Sequence, residues 1–319
     1  MLLKTIPEVV LNSGHKMPML GFGTGIVPLP PHHELFPVFL DAIKAGYRHF
    51  DTAAYYGSEE PLGQAIAQAL EQGLIQNRSE IFVTSKLWCT DAHPGLVLPA
   101  LKSSLQRLGL EYVDLYLIHF PVRLRQETKR ETHNNKDDIL PLDMKGTWED
   151  MEMCSKLGLA KSIGVSNFGV KKLSKLQQNA IIPPALVQVE MNAAWQQENL
   201  RNFCKENEIH VAAWSPLGAN GASWGSHAVM NSPILKDIAF STGKTLAQVA
   251  LRWLIEEGVT PIVRSFNSER MRQNLEIFDW ELSEGDLEKI KQMPQHRGFK
   301  GERFISESGP YKSVEDLWD

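Results

Sequence analysis

The chain has 319 residues, of which 43% are hydrophobic and 22% charged, and its formal net charge is −5. This is the composition of a globular protein, and it excludes intrinsic disorder, collagen-like repeats and small disulfide-stapled scaffolds. The negative net charge also argues against a dedicated nucleic-acid-binding protein, which usually carries a basic domain.

Neither a secretory signal nor a membrane span is expected from the sequence. The start, Met1–Pro7, lacks a long apolar core and a small-residue cleavage site, and no uncharged apolar run is long enough to span a bilayer. The three cysteines, Cys89, Cys154 and Cys204, have neither zinc-site nor disulfide spacing. We therefore expect a cytoplasmic protein with reduced thiols, no metal, and neither nucleic acid nor membrane as a partner.

Short apolar runs rich in β-formers alternate along the chain with longer segments of helical periodicity, such as Glu59–Gln72 and Thr245–Glu257. Strand–helix alternation implies parallel strands, because a parallel neighbour requires a crossover connection. Eight such units predict an α/β fold of the (β/α)8 TIM-barrel type. The eight predicted strands are Met19–Thr24, His49–Ala53, Ile81–Leu87, Val113–Phe120, Ser162–Asn167, Leu186–Asn192, His210–Leu217 and Thr260–Ser265.

An open doubly wound sheet is the competing fold. It usually carries a Gly-x-Gly-x-x-Gly turn that opens a helix, and the nearest string here is Gly21, Gly23 and Gly25. That string lacks the third spacing and runs into Val27–Pro31, where a helix cannot start immediately. We therefore interpret these glycines as a tight strand exit rather than a phosphate loop.

Three segments are longer than ordinary loops: Pro121–Lys145, Gly218–Ser232 and the tail Pro294–Asp319. The first two follow strands four and seven, so they leave the C-terminal rim of the barrel, where active sites lie. We expect the charged half of the first to be solvated, and the second loop and the tail to border a substrate pocket. No linker is visible, and residues 1–319 are predicted to form one domain.

Four polar residues lie near predicted strand ends on this rim. Asp51 ends the second strand and Tyr56 follows shortly after, while Lys86 and His119 stand near the ends of the third and fourth strands. A lysine beside a phenol lowers the pKa of that phenol, and an adjacent carboxylate can pair with the lysine. A tyrosine tuned in this way can protonate a carbonyl oxygen, and a histidine can orient that oxygen. Each residue alone has a structural interpretation, but together they predict carbonyl chemistry.

Three motifs resemble the signatures of the aldo-keto reductase family: Gly46–Gly63, Ile163–Phe168 and Ile262–Asn274. They occur in order and span nearly the whole chain. The resemblance implies a barrel that reduces carbonyl groups with NADPH. It also implies that Tyr56 is the proton donor, that Lys86 paired with Asp51 lowers the pKa of Tyr56, and that His119 positions the carbonyl oxygen.

The resemblance further implies a set of cofactor contacts. Ser166, Asn167 and Gln188 would hold the nicotinamide carboxamide and Trp214 would stack on its ring. Arg264 and Arg270 would clamp the ribose 2′-phosphate. The remaining implied contacts to NADPH/NADP+ are Gly23, Thr24, Asp51, Ser215, Leu217, Ser265, Phe266, Gln273 and Asn274.

Three positions depart from the pattern common in the family. Arg264 stands where lysine is common, Gln273 where glutamate is common, and Phe120 where many members have tryptophan. Arg264 keeps the positive charge, so NADPH is still expected ahead of NADH. Phe120 is expected to reshape one wall of the substrate pocket.

Within the family, Lys86–Trp88, Ile182–Asn192 and Arg270–Leu282 resemble a plant branch that includes chalcone (polyketide), codeinone and methylecgonone reductases. The loop Gly218–Gly225 and the tail Gly309–Trp318 resemble the members that reduce alkaloid ketones. This implies a bulky ring ketone as substrate and a monomer. The predicted pocket walls are Thr24, Gly25, Ile26, Tyr55, Trp88, His119, Phe120, Asn192 and Trp224.

Three alternatives remain open from the sequence. One is a generalist reductase of small aldehydes and sugars, and another is a non-catalytic NADPH-binding or structural protein. The third, a carboxylate-based hydrolase, needs two facing acids, and Asp51 has no clear partner except Glu190. We expect Glu190 to be structural or to support site residues without touching the substrate itself.

Overall fold

The computed structural model describes residues 6–128, 136–222 and 224–319. Residues 129–135, in the charged part of the first long loop, and Met1–Thr5 at the start of the chain lie outside the described residues, as does Ser223. Among the described residues, no helix is long and apolar enough to cross a membrane.

A closed barrel of eight parallel strands forms the centre of the molecule. All eight predicted strands are present, seven of them shortened and the fifth starting two residues earlier than predicted. The predicted TIM barrel is confirmed, and closure excludes the open doubly wound sheet. The barrel strands are Gly21–Gly23 (β3), His49–Asp51 (β4), Phe82–Leu87 (β5), Val113–Ile118 (β6), Ala160–Ser166 (β9), Leu186–Glu190 (β10), His210–Trp214 (β11) and Thr260–Val263 (β12).

Two short antiparallel hairpins, which the strand pattern does not predict, complete the strands. The first is made of Glu8–Val10 (β1) and Lys16–Pro18 (β2), and the second of Arg123–Leu124 (β7) and Ile139–Leu140 (β8). Leu11 and Met17 of the first hairpin pack on an apolar cluster inside the barrel, so this hairpin covers one end. The second hairpin lies within the long loop after β6.

The helices form the outer layer of the barrel, as the periodicity predicts. The predicted helices at 59–72 and 245–257 are confirmed within one residue at each end, and the second starts at a capping box between Thr245 and Gln248. The helices are His32–Ala45 (α1), Glu59–Glu71 (α2), Val97–Leu108 (α3), Met144–Lys156 (α4), Val170–Gln177 (α5), Glu198–Glu206 (α6), Pro233–Thr242 (α7), Leu246–Glu256 (α8), Ser268–Leu275 (α9), Glu284–Lys291 (α10) and Val314–Trp318 (α11).

Side chains of β6 alternate between two apolar clusters. In β6, Leu115 and Leu117 belong to the cluster inside the barrel, whereas Tyr116 and Ile118 belong to the larger cluster under the helices. This period of two is what a strand buried on both faces requires. The helices also approach one another closely: a Cβ on Gly63 of α2 would collide with the backbone carbonyl of Leu108 at the end of α3.

The tail after α10 crosses the barrel rim and forms a third apolar cluster. Phe304, Tyr311, Leu317 and Trp318 pack there with side chains from the loops after β5 and β6. The tail is held on the barrel by Tyr311, whose hydroxyl donates to the carbonyl of Pro121. Within the tail, Nε1 of Trp318 donates to the carbonyl of Lys300 at 2.8 Å. The tail thereby borders the end of the barrel where the polar residues gather.

Candidate active site

A buried ion pair joins the ends of two adjacent barrel strands. Nζ of Lys86 in β5 donates to Oδ1 of Asp51 in β4 at 2.5 Å. It also donates to the carbonyl of Thr52 at 3.0 Å. The Lys86 side chain is fully buried, and a buried ammonium is stable only when its charge is compensated and its hydrogen bonds are satisfied. Burial alone would lower the pKa of Lys86, but Asp51 and Tyr56 outweigh burial, and the pKa is raised. Lys86 is therefore a permanent positive charge in the site.

Tyr56 is held against this pair by a short 3-10 turn, Ala54–Tyr56. The Lys86 ammonium lies 4.9 Å from the centre of the Tyr56 ring, and the Tyr56 hydroxyl lies 3.4 Å from Nε2 of His119. Under the turn, the hydroxyl of Ser58 lies 2.7 Å from that of Thr24 and 2.9 Å from that of Thr52. These three buried hydroxyls connect the turn to the ends of β3 and β4.

The pKa of Tyr56 departs from the sequence-based expectation. Burial raises it, and although Lys86 lowers it as predicted, burial is the larger effect and the net direction is upward. The charge of Lys86 acts in the predicted direction, but burial, which sequence reasoning did not count, is the larger effect on the pKa of Tyr56. Tyr56 is accordingly a protonated phenol at neutral pH, with its proton available to a bound acceptor.

His119 stands among aromatic rings at the end of β6. It is stacked near Phe120, with ring centres 5.1 Å apart, and meets Trp88 edge to face at 5.3 Å. Burial holds the pKa of His119 well below its usual range, and the charges of Lys86 and Arg303 act in the same direction. His119 is therefore neutral, and in the described part of the chain its Nδ1 has no hydrogen-bond partner. A neutral imidazole whose Nε2 faces Tyr56 can serve as a hydrogen-bond donor to a substrate oxygen.

A chain of amides and hydroxyls borders the Asp51–Lys86 pair. Nε1 of Trp214 donates to Oδ1 of Asn167 at 3.0 Å, and Nδ2 of Asn167 lies 3.1 Å from the hydroxyl of Ser166. Gln188 donates to Oδ2 of Asp51 at 2.7 Å. The structure thus brings together the four residues that the resemblance assigns to the nicotinamide end of the cofactor.

The predicted phosphate region lies after β12, at the start of α9. The Arg264 guanidinium donates to the carbonyl of Gly25 across the rim, and Asn267 caps the helix by accepting from the backbone N–H of Arg270 at 2.9 Å. Both arginines are exposed, and neither forms an ion pair with any acid that the structure describes. Phe266 is also exposed at this edge, whereas Ser265 turns inward and donates to the carbonyl of Asn267.

Not all predicted cofactor residues are accessible at the barrel rim. Asn274 is buried and hydrogen-bonded to Tyr47, and Gln273 donates to Glu269 on the same helix, so no contact in the structure supports their assignment to the adenine. The side chain of Thr24 is buried as well. Gly23, Ser215 and Leu217 are half-buried at strand ends, and Ser215 has a positive φ of 52°.

Four of the predicted substrate-wall residues form one aromatic surface: Tyr55, Trp88, His119 and Phe120. Tyr55 and Trp88 are stacked with ring centres 3.8 Å apart, and Phe120 lies 6.2 Å from Trp88. A Cβ on Gly25 would lie 3.1 Å from the Tyr56 ring, so this glycine borders the same space. Ile26 packs on the main core, Asn192 is buried and bonded to the carbonyl of Ser215, and Trp224 is 37% exposed on its loop.

Sequence reasoning placed the tail at the pocket but did not identify its individual residues. The ring of Phe299 lies 6.0 Å from that of Trp214 and 6.1 Å from that of Phe120, and Arg303 lies against the same rings. The tail before α11 has no helical or strand period in its sequence, so no pattern indicates which of its side chains point inward.

The two candidate carboxylates of a hydrolase are both occupied by hydrogen bonds within the protein. Asp51 is bound by Lys86 and Gln188, while Glu190 accepts backbone hydrogen bonds from Gly298 at 3.1 Å and Phe299 at 2.9 Å. Glu190 is structural, as expected. The part of the chain that the structure describes also holds no group of three or more His, Cys, Asp or Glu side chains that could hold a metal ion.

The donor set fits a nicotinamide dinucleotide phosphate. A half-exposed indole, Trp214, offers a flat face beside amide groups, and two exposed guanidiniums at a helix start offer charge to a phosphate. A family model described as "Aldo/keto reductase family" matches residues 20–294. The chain belongs to this family. It is an NADP-dependent reductase, as the motifs predicted.

Relatives of this aldo-keto reductase cover nearly its whole length. It is 58% identical over 315 residues to rhazimal reductase 2 of Alstonia scholaris, with 98% of this chain and 97% of that protein covered. It is 52% identical over 314 residues to NADPH-dependent codeinone reductase 1-4 of Papaver somniferum, with 98% of each covered. A solved structure, the aldo-keto reductase of Bombyx mori in complex with NADP, aligns with a TM-score of 0.87 at 36% identity and covers 97% of this chain and 99% of that one. The predicted resemblance to codeinone reductases is confirmed.

Proposed function

We propose that this protein reduces a bulky ring ketone or aldehyde of plant specialised metabolism to an alcohol with NADPH. The observation that carries the proposal is the Tyr56 hydroxyl, which faces His119 at 3.4 Å and is backed by the buried Lys86–Asp51 pair. The aromatic walls around Tyr55, Trp88 and Phe120 suit a large apolar substrate. The names of the plant relatives, rhazimal reductase and codeinone reductase, support the same substrate class.

In the proposed mechanism, each residue of the group Asp51, Tyr56, Lys86 and His119 has a distinct role. The bound NADPH supplies the hydride. Tyr56 donates its proton to the carbonyl oxygen, and the phenolate that remains is stabilised by the Lys86 ammonium. Asp51 keeps Lys86 protonated and in place, and neutral His119 positions the carbonyl oxygen through Nε2.

We further propose that the cofactor lies along the rim from β9 to α9. Ser166, Asn167 and Gln188 would bind the carboxamide, because they present amide and hydroxyl groups at one edge. Trp214 would cover the nicotinamide ring. Arg264 and Arg270 would bind the 2′-phosphate, since they are exposed cations at the start of a helix.

Two rival functions make different demands on the same site. A generalist aldehyde reductase would use the same acid–base group without selecting bulky ketones. A non-catalytic NADPH-binding protein would not need a fully buried lysine, which is costly to keep. We also propose that the protein is a monomer, that it consists of a single domain, and that it acts in the cytoplasm.

The proposal is tested by the loss of NADPH absorbance at 340 nm with a panel of carbonyl compounds. The panel contains a simple aromatic aldehyde, a sugar aldehyde, a tropane-type ketone and a morphinan-type ketone. Tyr56→Phe is compared with the wild type, and Tyr112→Phe serves as the matched control. We expect Tyr56→Phe to lower turnover by roughly 10²- to 10⁴-fold, since the proton donor is removed while the ring remains.

Fast turnover of one bulky ketone supports the specialised reductase, and broad turnover of simple aldehydes supports the generalist. NADPH binding, followed by fluorescence, should be nearly unchanged in Tyr56→Phe. Equal turnover in Tyr56→Phe and the wild type would disprove the proposed role of Tyr56. Tight NADPH binding without any turnover would favour the non-catalytic protein.

A further inference from the structure

A buried carboxylate that the proposed mechanism does not use lies close behind the acid–base residues. Glu59 is the first residue of α2, and its side chain is only 1% exposed. Its Oε1 accepts a hydrogen bond from the hydroxyl of Ser85 at 2.6 Å, and its Oε2 accepts from Nε of Arg107 in α3 at 2.6 Å. Both oxygens are therefore bound by protein groups, which a buried carboxylate requires because its loss of hydration is costly.

The contact with Ser85 joins Glu59 to the strand that carries Lys86. Successive side chains of a strand point to opposite faces. In β5, Phe82 belongs to the cluster inside the barrel and Val83 to the cluster under the helices. Ser85 therefore faces the helices, and Lys86, the next residue, faces the barrel interior. Glu59 thus holds the outer face of β5 at the position beside Lys86.

The helix start that carries Glu59 follows the proposed proton donor almost directly. Two residues, Gly57 and Ser58, separate it from Tyr56, and the hydroxyl of Ser58 is bound to hydroxyls at the ends of β3 and β4. The segment that carries Tyr56 is thus attached to β3 and β4 at Ser58 and to β5 at Glu59. A single attachment would leave the segment free to pivot, whereas attachments to different strands hold it in place relative to Lys86.

We propose that Glu59 is a positioning residue, which holds the start of α2 on β5 and thereby sets the distance between the Tyr56 phenol and the Lys86 ammonium. The inference rests on the proposed function and adds to it a residue that touches neither the substrate nor the cofactor. Neither the sequence-based assignments nor the names of the relatives give Glu59 a role.

The distance matters because the charge of Lys86 acts on the phenol. The ammonium lies 4.9 Å from the centre of the Tyr56 ring, and its charge lowers the pKa of Tyr56 against the larger, opposite effect of burial. The attraction between the ammonium and the phenolate that forms on proton transfer weakens as the two move apart. Loosening the start of α2 should therefore slow proton donation without removing any group that takes part in it.

Arg107 compensates the charge of Glu59 from the surface side. The Arg107 side chain is 43% exposed, and its guanidinium also donates to the hydroxyl of Ser104 at 3.1 Å. The two contacts of the carboxylate can thus be separated by substitution. Ser85→Ala breaks the contact with β5 and keeps the ion pair, whereas Glu59→Ala breaks both.

The test asks whether Glu59 acts through Tyr56. We would measure kcat, KM and the Kd of NADPH with the carbonyl compound of the above panel that the wild type reduces fastest. The changes Glu59→Ala, Glu59→Gln and Ser85→Ala are each made in the wild-type protein and in the Tyr56→Phe variant, whose residual turnover is followed at high enzyme concentration. Glu60→Ala is the matched control, because Glu60 is the exposed neighbour on the same helix. The melting temperature of every variant is also measured.

With Tyr56 present, we expect Glu59→Ala and Ser85→Ala to lower kcat by about 10-fold and to leave KM and the Kd of NADPH nearly unchanged. Glu59→Gln should keep most of the turnover, since its amide oxygen can still accept from Ser85. In the Tyr56→Phe variant the same changes should lower kcat by less than about 2-fold, because the donor whose position they alter is gone. Glu60→Ala should change neither kcat nor KM.

Equal losses of kcat with and without Tyr56 would overturn the proposal, as would an unchanged kcat despite a lower melting temperature. Either result would make Glu59 a residue of helix packing only. If Glu59→Ala does not fold, Ser85→Ala, which keeps the ion pair, decides between these outcomes. No reduction of any panel compound by the wild-type protein would instead contradict the proposed function itself.

Discussion

The carboxylate of Glu190 accepts a hydrogen bond from the backbone N–H of Phe299 at 2.9 Å, and so connects the end of a barrel strand to the tail. The other carboxylate oxygen accepts from Gly298, where a Cβ would lie only 2.5 Å from it. The Phe299 ring is thereby placed between Trp214, the proposed cover of the nicotinamide, and Phe120 of the substrate wall. One acid of the barrel thus shapes a pocket wall made by a segment that follows it by about a hundred residues.

Substitution Glu190→Ala should loosen this wall. It leaves two backbone N–H groups without their acceptor, which should lower the free energy of unfolding by roughly 2–5 kcal/mol. We expect KM for a bulky ketone to rise more than KM for benzaldehyde, because the large substrate needs Phe299 in place. Chemical denaturation and steady-state kinetics test this, with exposed Glu307→Ala in the tail as control. A uniform change in KM for both substrates would contradict the role of Phe299.

Arg270→Met should change the choice of cofactor. Arg270 is exposed and forms no ion pair within the described residues, so its charge is available for a phosphate. We expect the Kd of NADPH to rise by roughly 10- to 100-fold and that of NADH to change little. Fluorescence titration measures both constants. Arg272→Met is the matched control, because Arg272 lies on the same helix and pairs with Glu269; equal weakening of the two cofactors by Arg270→Met would refute the assignment.

Gly25→Ala should impair turnover without unfolding the protein. The new Cβ would lie 3.1 Å from Cε2 and Cζ of the Tyr56 ring, which is closer than an ordinary van der Waals contact, so the ring must shift. Because proton transfer depends on the position of the hydroxyl, kcat should fall by roughly 10-fold while the melting temperature changes little. Gly285→Ala on exposed α10 is the control, since its Cβ meets only Ser283 at 3.8 Å. Unchanged kcat in Gly25→Ala would show that the Tyr56 ring has room to adapt.

Stability should fall when the pH is lowered from 7 to 5. Burial lowers the pKa of His49 to about 4, and Lys86 acts in the same direction, while Asp51 and the carbonyl of Pro18 oppose it. Its pKa in the unfolded chain is about 6.5, so below that pH the unfolded state binds more protons and is favoured. Between pH 6.5 and 4, this histidine lowers the free energy of unfolding by up to about 1.4 kcal/mol for each pH unit. Urea denaturation at several pH values measures it, and His49→Gln should show a smaller pH slope; an equal slope would exclude His49 as the cause.

The barrel and the meeting of Asp51 with Lys86 at its rim were predictable because their signals are local. Each strand is a short apolar run, and a parallel strand must be followed by a crossover, so the order of elements specifies the architecture. Parallel strands also bring their C-terminal ends to one rim. Asp51 and Lys86 therefore meet by virtue of their places in adjacent strands, as the register of β4 and β5 shows.

The sequence did not reveal the net pKa of Tyr56 or the inward direction of Asn274. Both depend on how much water the surrounding chain excludes, and burial is a property of the whole packed molecule. The predicted cofactor and substrate contacts, including those of Arg264 and Trp224, stay predictions.

The sequence by itself determined the fold, the family and which polar residues lie at the barrel rim. Periodicity and motif spacing are properties of residues that are close together in the chain, so they can be recognised without the structure. Only the tertiary structure decided which tail residues border the proposed pocket. Phe299 and Arg303 reach the rings of Trp214 and Phe120 through an irregular segment whose path is set by contacts such as those of Glu190 with the backbone. A segment without a regular period carries no local signal of the direction of its side chains, and long-range packing alone supplies it.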